Sequence, residues 1–169
     1  MPTLKAISAD QYRRLKETLI RLIRADGRTE LHEWCLYQLL RHYLDPEFVR
    51  VKPSRPRYST LEKVQFHLRV VLSVLAREGD GEPAEGFRTA ADELGFYSLQ
   101  ILPLEQCDTA TFSNAVTQLA DCYPLLKPRI LKAMALAASS DGSLNAAERE
   151  IIASIAAVMD CPVSLPPVA

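Results

Sequence analysis

The 169-residue chain is poor in glycine, with six residues, and has only four cysteines (Cys35, Cys107, Cys122 and Cys161), none in a Cys-x-x-Cys pair. So sparse a set does not make a disulfide scaffold and reads as reduced thiols in a reducing compartment. Charge of one sign is also lacking: twenty Lys and Arg stand against twenty-one Asp and Glu, for a net charge of −1 and a pI near 6.3. That balance excludes the electrostatic footprint of a dedicated nucleic-acid binder, so no nucleic acid is expected as a partner. No apolar run approaches the ~20 residues of a membrane-spanning helix, and neither end reads as a secretory signal. The longest candidate, Ile151 to Met159, suits a short core helix. No Gly-x-Ser-x-Gly elbow or Gly-rich phosphate loop orders the Ser, His and Asp residues, which leaves nucleophilic and nucleotide chemistry without support. What is present is a globular composition, 48% apolar and 24% charged, in a length that fits one domain over 1–169.

Apolar residues recur every three or four positions and nowhere alternate, so the fold class expected is all-α, with about seven helices. Ser8-Ala9-Asp10-Gln11 is a capping box opening a first helix to about Ala25, with Tyr12, Leu15, Leu19, Leu22 and Ile23 as its apolar stripe. A second helix is expected from about Glu30 to Leu44, burying Leu36, Leu39, Leu40, Tyr43 and Leu44 and closed by Asp45-Pro46. Residues 46–58, with Pro46, Pro53 and Pro56, form an exposed connector. Ser59-Thr60-Leu61-Glu62 caps a central helix to about Arg77 that packs through Leu61, Val64, Leu68, Val71, Leu72 and Leu75. A short helix from about Ala84 to Leu94 ends at Gly95, and Phe96 to Cys107 fits no element clearly. Asp108 or Thr109 caps a fifth helix to about Cys122, Pro124 and Pro128 bracket the start of a sixth, and Asn145-Ala146-Ala147-Glu148 caps the last.

An internal repeat is the strongest signal. At an offset of 115, the separation of Asp26 from Asp141, Gly27 aligns with Gly142, Glu33 with Glu148, Leu36 with Ile151, Leu40 with Ile155, Leu44 with Met159 and Asp45 with Asp160, without a gap. Two pseudo-symmetric helix hairpins, at about 8–45 and 124–160, flank a middle segment 46–122 and leave a Pro-rich tail 161–169. The Asp-to-Glu spacing of each copy is that of the second half of an EF-hand loop, which makes Asp141, Glu148, Asp26 and Glu33 candidate ligands for a divalent cation. The earlier ligand positions fall on Leu22 and Arg24 in one copy and on Ala137 and Ser139 in the other, too few oxygens for more than a weak site. The stronger reading is structural: glycine supplies a left-handed turn, each Asp bonds neighbouring amides and Glu148 completes a capping box with Asn145.

The pattern Ala25-Asp26-Gly27 or Ser140-Asp141-Gly142 followed by Glu33 or Glu148 resembles the TerB-like domains named after tellurite-resistance proteins. That resemblance implies a seven-helix fold whose acidic residues are associated with divalent metal. Ser8-Ala9-Asp10-Gln11-Tyr12, Leu22-Ile23-Arg24-Ala25-Asp26-Gly27-Arg28, Leu40-Arg41-His42-Tyr43-Leu44-Asp45 and Asp160-Cys161-Pro162 are in turn similar to the soluble C-terminal region of bacterial membrane-bound zinc metallopeptidases of the HtpX and CAAX prenyl protease group, metallopeptidase family forty-eight. The second resemblance implies a non-catalytic accessory module on the cytoplasmic side of a bacterial inner membrane, with the protease part of its own chain or a client protein as partner. The zinc motif of that group, His-Glu-x-x-His, is absent: His32-Glu33-Trp34-Cys35-Leu36 has leucine where the second histidine belongs. No catalytic or cofactor residue carries over, and zinc is expected only in the catalytic part of the parent protein.

Remaining candidates are weaker. His32 and Cys35 lie one turn apart with His42 beyond them, but two ligands do not make a metal site. His67 stands alone. Glu78, Asp80, Glu82 and Glu85 solvate a turn. Arg50, Lys52, Arg55 and Arg57, beside Phe48 and Tyr58, form a basic patch that reads first as a solvated loop and second as a surface for phospholipid headgroups, nucleic acid or another partner.

Overall fold

A computed structural model describes residues 7–25, 31–48, 55–139 and 143–162, the side chains of 23–25 excepted. Among the described residues the fold is all-helical: α1 (Ala9–Ala25), α2 (Leu31–Phe48), α3 (Gln65–Glu78), α4 (Pro83–Glu93), α5 (Thr109–Ala120), α6 (Lys127–Ala138) and α7 (Ala146–Val158). No described helix is long and apolar enough to cross a membrane. The chain divides inside the proline-rich connector into two compact units, Met1–Pro53 and Ser54–Ala169. The Asp26-Gly27 and Asp141-Gly142 turns and the tail beyond Pro162 lie outside the described residues.

The first unit is the α1–α2 hairpin. Its capping box forms as the sequence dictates, the Gln11 amide donating to Ser8 Oγ at 3.2 Å and the Ser8 amide to Gln11 Oε1 at 2.8 Å. Tyr12, Leu40 and Leu44 make its core, with Ile7, Leu15, Leu19 and Phe48 packed around them. Two expectations fail here. Helix α2 runs through Pro46 to Phe48 instead of stopping at Leu44. Its last turn is held from outside, because the Asp45 carboxylate accepts from Tyr12 Oη, Lys16 Nζ (3.0 Å) and Arg41 Nε (3.3 Å), and the Tyr12 ring stacks on Phe48 with centroids 4.7 Å apart. The buried face also differs: α2 buries Trp34, Cys35, Leu40 and Leu44, while Leu36 and Tyr43 are 46% and 49% exposed and Leu22 of α1 is 62% exposed.

The second unit is built on α3, whose Leu68, Val70, Val71, Leu72 and Leu75 are all fully buried. A helix with buried residues around most of its circumference needs several neighbours, and α4, α5 and α6 pack against it. Its start departs from expectation. The Ser59–Glu62 box does not cap it; a 3-10 turn at Glu62–Val64 intervenes, and α3 begins at Gln65 without a side-chain cap. Helices α4 and α6 approach closely because a glycine faces the α6 backbone: a Cβ on Gly86 would stand 2.8 Å from the Ala137 carbonyl oxygen. Helix α4 ends where Gly95 takes φ of 85°, as read from the sequence. The segment from Phe96 to Cys107 has no α-helix and is clamped onto α3, with Arg69 Nε donating to the Gln100 carbonyl at 2.6 Å, Arg77 to the Leu102 carbonyl, and the Leu102 amide to Ser73 Oγ at 2.9 Å. Asp108 caps α5 through the Thr111 amide at 2.7 Å. The Asn145–Glu148 capping box opens α7, which packs on α5 and α6.

Candidate functional site

Of the four candidate cation ligands, Asp26 and Asp141 fall outside the described residues. Glu148 is buried with its carboxylate committed to the cap: Oε2 accepts from the Asn145 amide at 2.8 Å, and the Glu148 amide donates to Asn145 Oδ1 at 2.9 Å. Glu33 holds the matching place, third residue of α2, and is half-buried. Among the described residues no group of three or more His, Cys, Asp or Glu side chains stands where it could hold a metal ion. His32 and His42 are exposed while Cys35 is fully buried, so that trio is divided between surface and interior. His67 is pushed below the ordinary histidine value by burial, and its Nδ1 has no hydrogen-bond partner among the described residues. Burial pushes the Cys122 thiol up to about 11, which keeps it protonated and a weak nucleophile. Cys107 is raised for the same reason, against the opposing charge of Arg77.

The basic patch is where the fold adds most to the sequence. Arg50 and Lys52 fall outside the described residues, whereas Arg55 and Arg57 are exposed at the start of the second unit. Arg57 is more than a solvated side chain. Its amide donates to the Asp121 carbonyl at 2.7 Å, its guanidinium lies 3.9 Å from the Asp121 carboxylate, and it covers the Tyr58 ring at 5.3 Å. Tyr58 then pairs as a parallel bridge with Cys122, accepts from the Tyr123 amide at 2.9 Å and donates its hydroxyl to Gln118 Oε1 at 2.7 Å. These bonds fasten the end of the connector to the turn between α5 and α6.

That turn, Tyr123-Pro124-Leu125, projects from the unit. Leu125 is 92% exposed and Tyr123 is exposed beside it, with Leu126 N bonded to the Tyr123 carbonyl at 2.9 Å to close the bend. Behind it the turn is anchored: Lys127 is buried and its ammonium donates to the Met159 carbonyl at 2.6 Å. The result is a turn with Tyr123 and Leu125 exposed at its tip, fastened through Tyr58 to the segment that carries Arg57. Sequence alone points to Arg55 and Arg57 and does not single out Tyr123 and Leu125. Pro124 between two large apolar residues is the available signal, and by pattern alone it reads as the start of a helix.

Concavities also lie among the described residues of the second unit. One, of about 350 Å³, lies beside α4 between Phe87, Arg88 and Asp92 and the residues Tyr97, Leu99 and Ile101. The other, of about 280 Å³, lies where Glu82, Glu85 and Thr89 face Ala137 and Ser139. Comparison of the chain with protein-family models, with curated proteins and with solved structures gives no match.

Proposed function

We propose that the chain is a non-catalytic helical accessory module of a membrane-bound zinc metalloendopeptidase, working at the cytoplasmic face through contact with the protease part of its own protein or with a client. The observation that carries this reading is the exposed turn at Tyr123 and Leu125, fastened through Tyr58 to the segment that carries Arg57. Nearly all of the Leu125 side chain faces solvent on a turn braced from behind by the buried Lys127, and with the exposed Tyr123 beside it the turn offers an apolar pair that a partner can cover. The resemblance to the metallopeptidase C-terminal region supplies the parent.

Reading the genomic frame upstream of Met1 is the first test. A His-Glu-x-x-His helix and apolar spans in frame support the proposal, and a stop codon there removes it. In the full-length parent, Leu125→Asp with Arg57→Glu should impair cleavage of the client while leaving the helical content of the module unchanged. Unimpaired cleavage would separate the surface from the function.

A second reading is kept because Glu33 and Glu148 occupy the same place in their helices: a TerB-like stress domain that binds a divalent cation at its Asp-Gly turns. Calorimetric titration with calcium, magnesium, manganese and zinc tests it. Absence of heat and of thermal shift at millimolar metal discards it.

A further inference from the structure

The concavity beside α4 is lined by two opposite charges that the fold leaves unpaired. Arg88 and Asp92 stand one helical turn apart, are exposed, and have no hydrogen-bond or ion-pair partner for their side chains among the described residues. An i,i+4 pair with the basic residue first is the weaker order, so little draws the two together. Glu93, next to Asp92, is by contrast paired with Lys132 of α6 at 2.7 Å. The rest of the wall is apolar: the buried Phe87 comes from α4, and the half-buried Phe96, Leu99 and Ile101 come from the segment that follows it. That segment is pinned to α3 by the bonds of Arg69 to the Gln100 carbonyl and of the Leu102 amide to Ser73, which fix the wall in place. Between these two pinned residues, the amide and carbonyl of Ile101 are bonded to no other described residue.

Charge complementarity selects the ligand. A singly charged molecule would meet one of the pair and leave the other unanswered, whereas a small zwitterion with an apolar side chain matches the whole wall. Its carboxylate meets the Arg88 guanidinium, its ammonium meets the Asp92 carboxylate, and its side chain covers Phe87, Phe96 and Leu99. We propose that this concavity binds a free α-amino acid with an aliphatic or aromatic side chain. The volume of about 350 Å³ suits so small a ligand, since ligand sites begin at about 300 Å³. An internal residue of a peptide carries neither charge and each peptide terminus only one, so the free amino acid is preferred. Because both ionic contacts are exposed and screened by water, the affinity is low, with a Kd of about 1 mM. The site shares no residue with the turn at Tyr123 and Leu125 and does not depend on the function proposed above.

Amide chemical-shift mapping of the full chain with L-leucine and L-phenylalanine, each to about 20 mM, tests the proposal. Saturable shifts are expected at Arg88, Tyr97 and Ile101. N-acetyl-L-leucine, which lacks the ammonium, and L-leucinamide, which lacks the carboxylate, should each bind about tenfold more weakly or worse. Arg88→Gln and Asp92→Asn should weaken leucine binding to a similar extent with an unchanged thermal midpoint, and Asp92→Asn should abolish the preference for leucine over its N-acetyl form. Absence of saturable shifts at these amides overturns the proposal, as does equal binding of the capped compounds or indifference to both variants. A peptide blocked at both ends that binds as tightly as leucine would assign the groove to extended chains and overturn it as well.

Discussion

The two hairpins, α1–α2 and α6–α7, share one boundary at the repeat offset, Leu31 opening α2 and its partner Ala146 opening α7, while the other helix ends differ by two to five residues. Position 12 of the first copy and 127 of the second are both buried and both reach the far end of the companion helix. Tyr12 donates to the Asp45 carboxylate and Lys127 to the Met159 carbonyl. One structural need, closing the open end of an antiparallel hairpin, is met by two different donors. The copies diverge in what they cover. Leu22 and Leu36 face solvent where Ala137 and Ile151 are buried, the latter at 9% exposure. They diverge also at the closing aspartate. Asp45 is held by three donors and stays helical, whereas Asp160 is exposed and takes φ of 51°. Two hairpins that match at the repeat offset thus differ in burial, Leu22 and Leu36 being exposed in the first where Ala137 and Ile151 are buried in the second.

The largest effects that could break this comparison come from its shared core position. Leu44→Ala and Met159→Ala each remove a fully buried side chain and should each cost about 2–5 kcal/mol. By amide hydrogen exchange Leu44→Ala should expose α1 and α2 and spare α3, while Met159→Ala should do the reverse. A uniform loss in both variants would refute the division into two units.

Lys127→Met comes next, at about 1–3 kcal/mol, because it strands the Met159 carbonyl; Tyr12→Phe should cost less, about 0.5–1.5 kcal/mol, because Lys16 and Arg41 still donate to Asp45. Urea midpoints check this, and two unaffected variants would deny the closing role assigned to position 12 and its mate.

Acid should separate the copies further. Burial works to raise the Asp45 carboxyl, but hydrogen bonds from Tyr12 and Lys16, the Lys16 charge and Arg41 together hold it below its ordinary value of 3.8. A carboxyl with a depressed folded-state value contributes stability that is fully present above the unfolded value and is lost as pH falls through the folded one. Hairpin one should therefore loosen below about pH 4, and Asp45→Asn should abolish that part of the pH dependence. An unchanged acid profile in Asp45→Asn counts against the grip on Asp45.

The smallest effect has opposite signs in the two copies. Asp160→Gly relieves a left-handed backbone and should stabilise by up to about 1 kcal/mol, whereas Asp45→Gly destabilises. Destabilisation by both, read from thermal midpoints, would show that the two ends are alike.

Local chemistry was legible in the sequence. The boxes Ser8–Gln11 and Asn145–Glu148, the Asp108 cap and the Gly95 stop depend on residues three or four apart, and all form. What the sequence hid was long-range. Nothing near Pro46 announces that Asp45 is gripped by Tyr12 and Lys16, which lie 33 and 29 residues away, so the helix was expected to stop early. Helix α2 is apolar around most of its circumference, and periodicity alone could not say whether the stripe through Leu36 and Tyr43 or the one through Leu40 and Leu44 meets α1. The contact surface was half legible: basic residues in the connector were visible, but their union with Tyr123 and Leu125 depends on the Tyr58 bridge to Cys122 across 64 positions.

Thiol labelling at one matched pair of positions tests the divergence of the two hairpins most directly. Leu36→Cys and Ile151→Cys, compared in the folded chain by peptide mass mapping, should differ widely: the thiol at position 36 should react at the rate of an accessible cysteine, and the thiol at position 151 only after global unfolding. Equal rates at the two positions, fast or slow, would contradict the claim that one copy is covered and the other is open.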